Sequence, residues 1–278
     1  MIELRQQYPV AGLLKAAGLK RSTFYYQQKA LQADDKYAEL KKQVRAIYEL
    51  HKGRYGYRRV AATVRKMGGL VSPNTVQRIM GELGLKSLVR IKKYKSFKGE
   101  IGVAAPNTLD RDFVAKGTNE KWVTDVTEFK VAGRKVFLST VMDLCTGEIV
   151  AFETDTRPSL KMVIEMAKKA FSTLGSEEKP LLHSDQGWQY RMRRYQEMLE
   201  EKDVDQSMSR KGNCHDNAAM ESFFGTLKSE FFHLNKFTSV EQLQAGLAEY
   251  IHYYNHDRIK MKLGGLSPVQ YRTQLSTT

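Results

Sequence analysis

The apolar residues of this 278-residue chain change period near residue 115, and that change restricts the fold more than any other feature. Before it they recur at helical spacing; after it they alternate or form short runs, as strands do. The expected organisation is an all-α region followed by an α/β domain, a mixed sheet flanked by helices. The length is sufficient for two modest units, each with its own core.

In the first part, Leu13, Leu14 and Ala17 mark a short helix, Gly18 breaks it, and a second helix begins near Arg21 with Ser22 as N-cap. Asp35 to Leu50 reads as one amphipathic helix, with Tyr37, Leu40, Val44 and Ile47 on its inner face. The basic and aromatic segment from Gly53 to Arg59 then leads into a helix running through Lys66. Ser72 supplies an N-cap and Pro73 a first helical position for a helix from Thr75 to Leu83, which Gly84 ends. The result is two helix-turn-helix candidates, whose second helix is built to lie in a major groove. In the second candidate Asn74, Gln77 and Arg78 fall on the recognition helix, and Arg58 and Arg59 precede it as further DNA contacts. The run from Arg90 to Lys98, with Lys92, Lys93 and Lys95, suits a phosphate backbone.

Charge divides at the same place. The first 114 residues hold 23 Lys and Arg against 9 Asp and Glu, whereas the remaining 164 carry 22 of each sign. The whole net charge of +14 therefore lies in the helical part, as expected of a polyanion-binding module beside a neutral domain. No apolar run approaches the ~18 residues of a membrane span, and the N-terminus lacks a secretory leader. Cys145 and Cys214 have no partners at metal-ligand or redox spacing and are read as reduced thiols of a cytoplasmic protein.

In the second part the order is β-β-β-α-β-α-β-α. Strands are expected at Lys121 to Val131, Lys135 to Leu144, Ile149 to Thr154, Leu181 to Ser184 and near Gln206 to Ser209. Helices are expected from Pro158, from Arg193 to Lys202 and from Asp216 to Phe232. Three acids stand where acids are costly. Asp125 lies inside the first strand, on the face of Val123, Phe129 and Val131; Asp185 ends an apolar strand; Glu221 lies on a helix beside Met220, Phe223 and Phe224. Clustered carboxylates repel and stay ionised only with cations among them. Oxygen ligands without a Cys/His cluster favour Mg²⁺ or Mn²⁺ over Zn²⁺. Singly, each acid is read equally well as a turn, helix-surface or strand-edge residue.

The segments Trp122 to Phe129, His183 to Tyr190 and Ser209 to Glu230 closely resemble the DDE motifs of retroviral-integrase-like transposases of bacterial insertion sequences, and the string from Tyr254 to Arg272 resembles their C-terminal trailer. Asp185 and Glu221 are separated by 35 residues, the spacing associated with that superfamily, and Lys228 follows Glu221 by seven, where the family has a basic residue. The resemblance covers nearly the whole chain and is of the OrfB type. It implies a ribonuclease-H-like catalytic domain with Asp125, Asp185 and Glu221 as catalytic metal ligands for two Mg²⁺ ions, Mn²⁺ substituting. Asn217, one turn before Glu221, reads evenly as a residue bonding a metal water or phosphate and as a helix cap, and His183, two positions before Asp185, reads first as a satisfied structural histidine and second as a neighbour of the site. The resemblance also implies DNA contact by Lys228, duplex DNA at element ends and target, and a homo-oligomer on DNA. An OrfA partner or frameshift fusion completes the implied set. The expected divisions are a helical DNA-binding region at 1–98, a linker at 99–114, the catalytic domain at 115–232 and a helical trailer at 233–278.

Overall fold

Two short helices, α1 (Val10–Ala16) and α2 (Arg21–Gln32), open the chain with Gly18 between them at φ +62°, the left-handed region open to glycine. The structure, a computed structural model, describes residues 3–32, 35–89, 105–110, 112–210 and 217–277. Lys92, Lys93, Lys95 and Cys214 lie outside them. Helix α2 already includes Arg21, so Ser22 sits in its first turn rather than capping it.

Helices α3 (Ala38–Leu50), α4 (Tyr57–Lys66) and α5 (Pro73–Glu82) enclose a core that includes Val44, Ile47, Tyr55, Val60, Val76 and Ile79. Helix α3 starts later than its periodicity suggests. The Asp35 carboxylate accepts from the Tyr37 N–H at 2.9 Å, a local turn that competes with helix and leaves Tyr37 at the cap position. Helix α5 starts as its sequence dictates: Ser72 Oγ accepts from the Thr75 N–H at 3.1 Å, and Pro73 is the first helical residue.

Five strands follow: β1 (Lys121–Val131), β2 (Arg134–Asp143), β3 (Ile149–Asp155), β4 (Leu181–Ser184) and β5 (Gln206–Met208). They form one mixed sheet in the order β3-β2-β1-β4-β5, antiparallel from β3 to β1 and parallel from β1 to β5. Strand β2 begins one residue earlier than expected. Ala132 at φ +47° and Gly133 at φ +75° make the whole hairpin turn, and two successive positive φ values match the twist of the flanking strands.

Side chains of β1 alternate between the two faces. Trp122 points to the layer of α6 (Leu160–Phe171) and α7 (Arg193–Glu201), together with Val141 and Leu182. Val123, Phe129 and Val131 point to the opposite layer, α8 (Ala218–Glu230) and α9 (Val240–His256). Helix α6 starts at Leu160 rather than Pro158, because Ser159 Oγ accepts from the Met162 N–H and caps it. Leu243, Leu247, Tyr250, Ile251 and Tyr254 of α9 share one core with α8, so the segment after residue 232 completes that layer. Beyond α9 the chain reaches the helix-turn-helix unit, where Ile259 joins the core of that unit and Tyr55 Oη donates to the Asp257 carbonyl at 3.2 Å. Helix α10 (Pro268–Thr277) ends the described chain.

Candidate active site

The parallel register pairs Thr124 of β1 with Ser184 of β4, and one residue further along each strand stand Asp125 and Asp185. Neighbouring strands run about 4.8 Å apart, so register alone sets the two carboxylates side by side where β4 ends. Both are half-buried, enclosed by protein yet open to solvent on one side. Burial, then the charge of Asp185, then that of Glu221 push the Asp125 carboxyl well above the usual range; the Val126 N–H at 2.7 Å and the charge of Lys228 act against them. Burial also raises Asp185, against the Gly187 N–H that donates to its Oδ1 at 2.8 Å. A Cβ on Gly187 would stand 2.9 Å from Asp185 Oδ1 and 3.2 Å from the Tyr190 ring, so a larger residue there would displace the Asp185 carboxylate.

Helix α8 faces the Asp125 side of β1. Its Glu221 is half-buried and close enough for its charge to reach Asp125. Among the described residues, however, no three His, Cys, Asp or Glu side chains are drawn into a cluster that could hold a metal. The charges of Asp185 and Glu221 both reach Asp125. Closing a third carboxylate onto two others requires positive charge between them. Lys228, two turns along α8, reaches the same face of β1 and donates to Thr127 Oγ1 at 2.7 Å, with its Nζ 5.3 Å from the Phe129 ring centre. Burial lowers its pKa, while Asp125 and Glu128 raise it.

Around this pair the polar groups are unevenly satisfied. Asn217, 4% exposed at the start of α8, donates its amide to the Thr124 carbonyl at 3.3 Å. Among the described residues its Oδ1 has no hydrogen-bond partner, nor has the Oγ1 of Thr140, the residue directly across from Asp125 on β2. His183 is buried, and its ring nitrogens contact Ser207 Oγ at 2.9 Å and Ser209 Oγ at 3.1 Å, which ties β4 to β5. Thr127 and Tyr190 were not foreseen from sequence. Tyr190 Oη lies 3.3 Å from Thr124 Oγ1, and the charges of Asp125 and Asp185 reach it. The signal for Thr127 was its place two residues beyond Asp125 on one strand face; for Tyr190 no sequence pattern separated it from an ordinary core aromatic.

Of the expected DNA contacts, Asn74, Gln77 and Arg78 share one exposed face of α5, and Arg58 is exposed at the start of α4. Arg78 also pairs with Glu82 and stacks over Tyr37. Arg59, at the start of the same helix, pairs its guanidinium with the buried Glu230 at 3.2 Å. A buried carboxylate attracts the nearest cation more strongly than open solvent does.

An acid inside one strand beside an acid just past the end of its parallel neighbour, facing a helix with a third acid on a five-stranded mixed sheet, is the layout of an integrase-type core. Residues 115–214 match the family Integrase core domain, residues 221–275 a second family of that description, and residues 35–93 the HTH-like domain. The chain is 54% identical over 272 residues to transposase InsK of insertion sequence element IS150 from Escherichia coli, covering 98% of this chain and 96% of that protein. It is 31% identical over 234 residues to transposase InsF of insertion sequence IS3A from the same species, covering 83% and 81%. A simian T-cell lymphotropic virus intasome, solved in complex with a PP2A regulatory subunit, shares the fold at 15% identity and a TM-score of 0.50, over 82% of this chain and 73% of that one.

The chain belongs to the insertion-sequence transposases with an integrase core, of the same family as those of IS150 and IS3. It is an enzyme of DNA cleavage and strand transfer, and cores of this family depend on a divalent metal. The residues at the site fit such an ion: the donors are all oxygen, the charges of Asp185 and Glu221 both raise Asp125, and among the described residues two buried oxygens beside the pair, Asn217 Oδ1 and Thr140 Oγ1, lack donors. No helix among the described residues is long and apolar enough to cross a membrane.

Proposed function

We propose that Asp125, Asp185 and Glu221 are the catalytic carboxylates with which this transposase cuts and joins DNA at the ends of its element. The observation that carries the reading is the side-by-side placement of Asp125 and Asp185 at the end of β4, each with its pKa raised. Two Mg²⁺ ions, with Mn²⁺ as substitute, would be held by these acids and would supply activation of the attacking oxygen and stabilisation of the leaving one.

The remaining work falls to the chain. The Gly187 amide orients Asp185, and the Val126 amide orients Asp125. Tyr190 and Thr124, both buried, meet on the face of β1 opposite to Asp125 and pack the sheet behind the acids. Asn217 Oδ1 offers an acceptor near Asp125, and Lys228 is stationed on Thr127, from which its flexible stem reaches a DNA phosphate beside the acids. Duplex DNA is recognised by α5 through Asn74, Gln77 and Arg78, with Arg58 on phosphate. In the same reading the enzyme works in the cytoplasm as a homo-oligomer on paired ends, with an OrfA protein as partner or fusion.

The test is isosteric removal of charge. Asp125→Asn, Asp185→Asn and Glu221→Gln should each abolish cleavage and joining of a terminal-repeat duplex while DNA binding stays within about twofold, since the shape of each side chain is kept. Wild-type strand transfer by any of the three removes that residue from the site.

A further inference from the structure

Glu230 is the last residue of α8, the helix that carries Glu221 and Lys228, and it is 3% exposed. A negative charge at a helix C-terminus opposes the helix dipole, so local preference does not explain it. Tertiary contacts do. Arg258, just beyond α9, grips the carboxylate with two arms, Nε to Oε2 and Nη2 to Oε1, both at 2.7 Å. Tyr250 Oη donates to Oε2 at 3.0 Å.

The helix-turn-helix unit approaches the same residue from the other side. Arg59 of α4 donates from Nη1 to Oε1 at 3.2 Å, and Arg54 donates from Nε to the Glu230 main-chain carbonyl at 3.1 Å. Arg54 also lies over the rings of Tyr250 and Tyr253. Burial pushes the Glu230 carboxyl up, but the hydrogen bonds and charges of Arg258 and Arg59 outweigh it and hold it below the usual range. The guanidinium fork sets orientation as well as distance, and a buried ion pair is a better register device than a stabiliser.

We infer that Glu230 is a positioning residue that locks the helix-turn-helix unit onto the C-terminal end of α8, so that DNA held by α5 lies at a fixed distance and rotation from the acids. The inference rests on the transposase reading of both parts and adds a ruler to it. Loosely tethered modules would tolerate a change in the spacing between the bound sequence and the cut; a locked pair does not. The lock acts on the shape of each protomer, whichever protomer's acids do the cutting.

The test uses the full-length chain together with the OrfA protein of its element, Mg²⁺ and duplex oligonucleotides carrying the ends of that element. Five base pairs are inserted, or not, between the terminal repeat and the cut. Such an insertion turns the end by about half a helical turn, and a wild-type ruler should lose about 10-fold or more in cleavage rate. Glu230→Gln should narrow that ratio to within about threefold and spread the cut over several nucleotides. The double change Arg54→Met with Arg59→Met removes both helix-turn-helix arms on Glu230 and leaves the Arg258 fork intact. It should act the same way, and it is the arm to read where thermal melting shows Glu230→Gln unfolded. A folded variant with the wild-type spacing ratio and a single cut position overturns the ruler while leaving the transposase reading in place. Failure of the wild type to cut any of the duplexes overturns both.

Discussion

Asp125→Asn should stabilise the metal-free protein while abolishing its response to Mg²⁺. Asp125 and Asp185 occupy the next positions after a paired register on parallel strands, about 5 Å apart. At that distance two negative charges repel by about 3 kcal/mol at an effective dielectric constant of 20. Both side chains are half-buried, so solvent screening reduces the relief on removing one charge to about 1–3 kcal/mol. For a chain of this size each kcal/mol moves Tm by about 2–4 °C, which gives a rise of roughly 2–12 °C. The sign of the pH dependence follows from the raised pKa of Asp125. Above the unfolded value near 4 the folded state binds more protons than the unfolded state, so this group's stability is lost as pH rises toward its folded pKa. The gain from Asp125→Asn is therefore larger at pH 8 than at pH 5. Saturating Mg²⁺ reverses the order: a ligand at about 100 times its Kd stabilises the wild type by about 2.7 kcal/mol and the variant far less. Calorimetric melting of both proteins at the two pH values, with and without Mg²⁺, measures all of this. A metal-free variant that melts at or below wild type, or that gains as much from Mg²⁺, refutes the reasoning.

Lys228→Ala should slow strand transfer about 10- to 100-fold at saturating Mg²⁺, as expected for loss of a charge-assisted phosphate contact worth about 1–3 kcal/mol, while Lys228→Arg retains more. The Mg²⁺-induced rise in Tm should survive both changes, and an unaltered joining rate for Lys228→Ala places the residue outside the chemistry. His51 stacks on Tyr55 at the seam between the helix-turn-helix unit and α9, and burial lowers its pKa to about 4. The unfolded state then binds more protons between about pH 6.5 and 4, so stability falls as pH falls through that window. Replacement by Phe should flatten that limb of the Tm profile, and an unchanged slope would contradict the burial argument.

Local rules carried much of the fold. Strand β1 has the limits its alternation suggests, and Ser72 with Pro73 starts α5 where expected, because caps and periodicity depend on residues only a few positions away. The acids were legible for a related reason: an aspartate inside an apolar strand contradicts its neighbours whatever surrounds the sheet. Local rules erred by a residue or two where a side chain competed for the backbone, as Asp35 and Ser159 do. Tertiary packing alone decided which polar groups meet. Lys228 finds Thr127 across 101 residues, and Arg59 finds Glu230 across 171. Such pairings follow from helices packing on a sheet and from the cost of leaving a buried charge alone, and neither leaves a periodic mark along the chain.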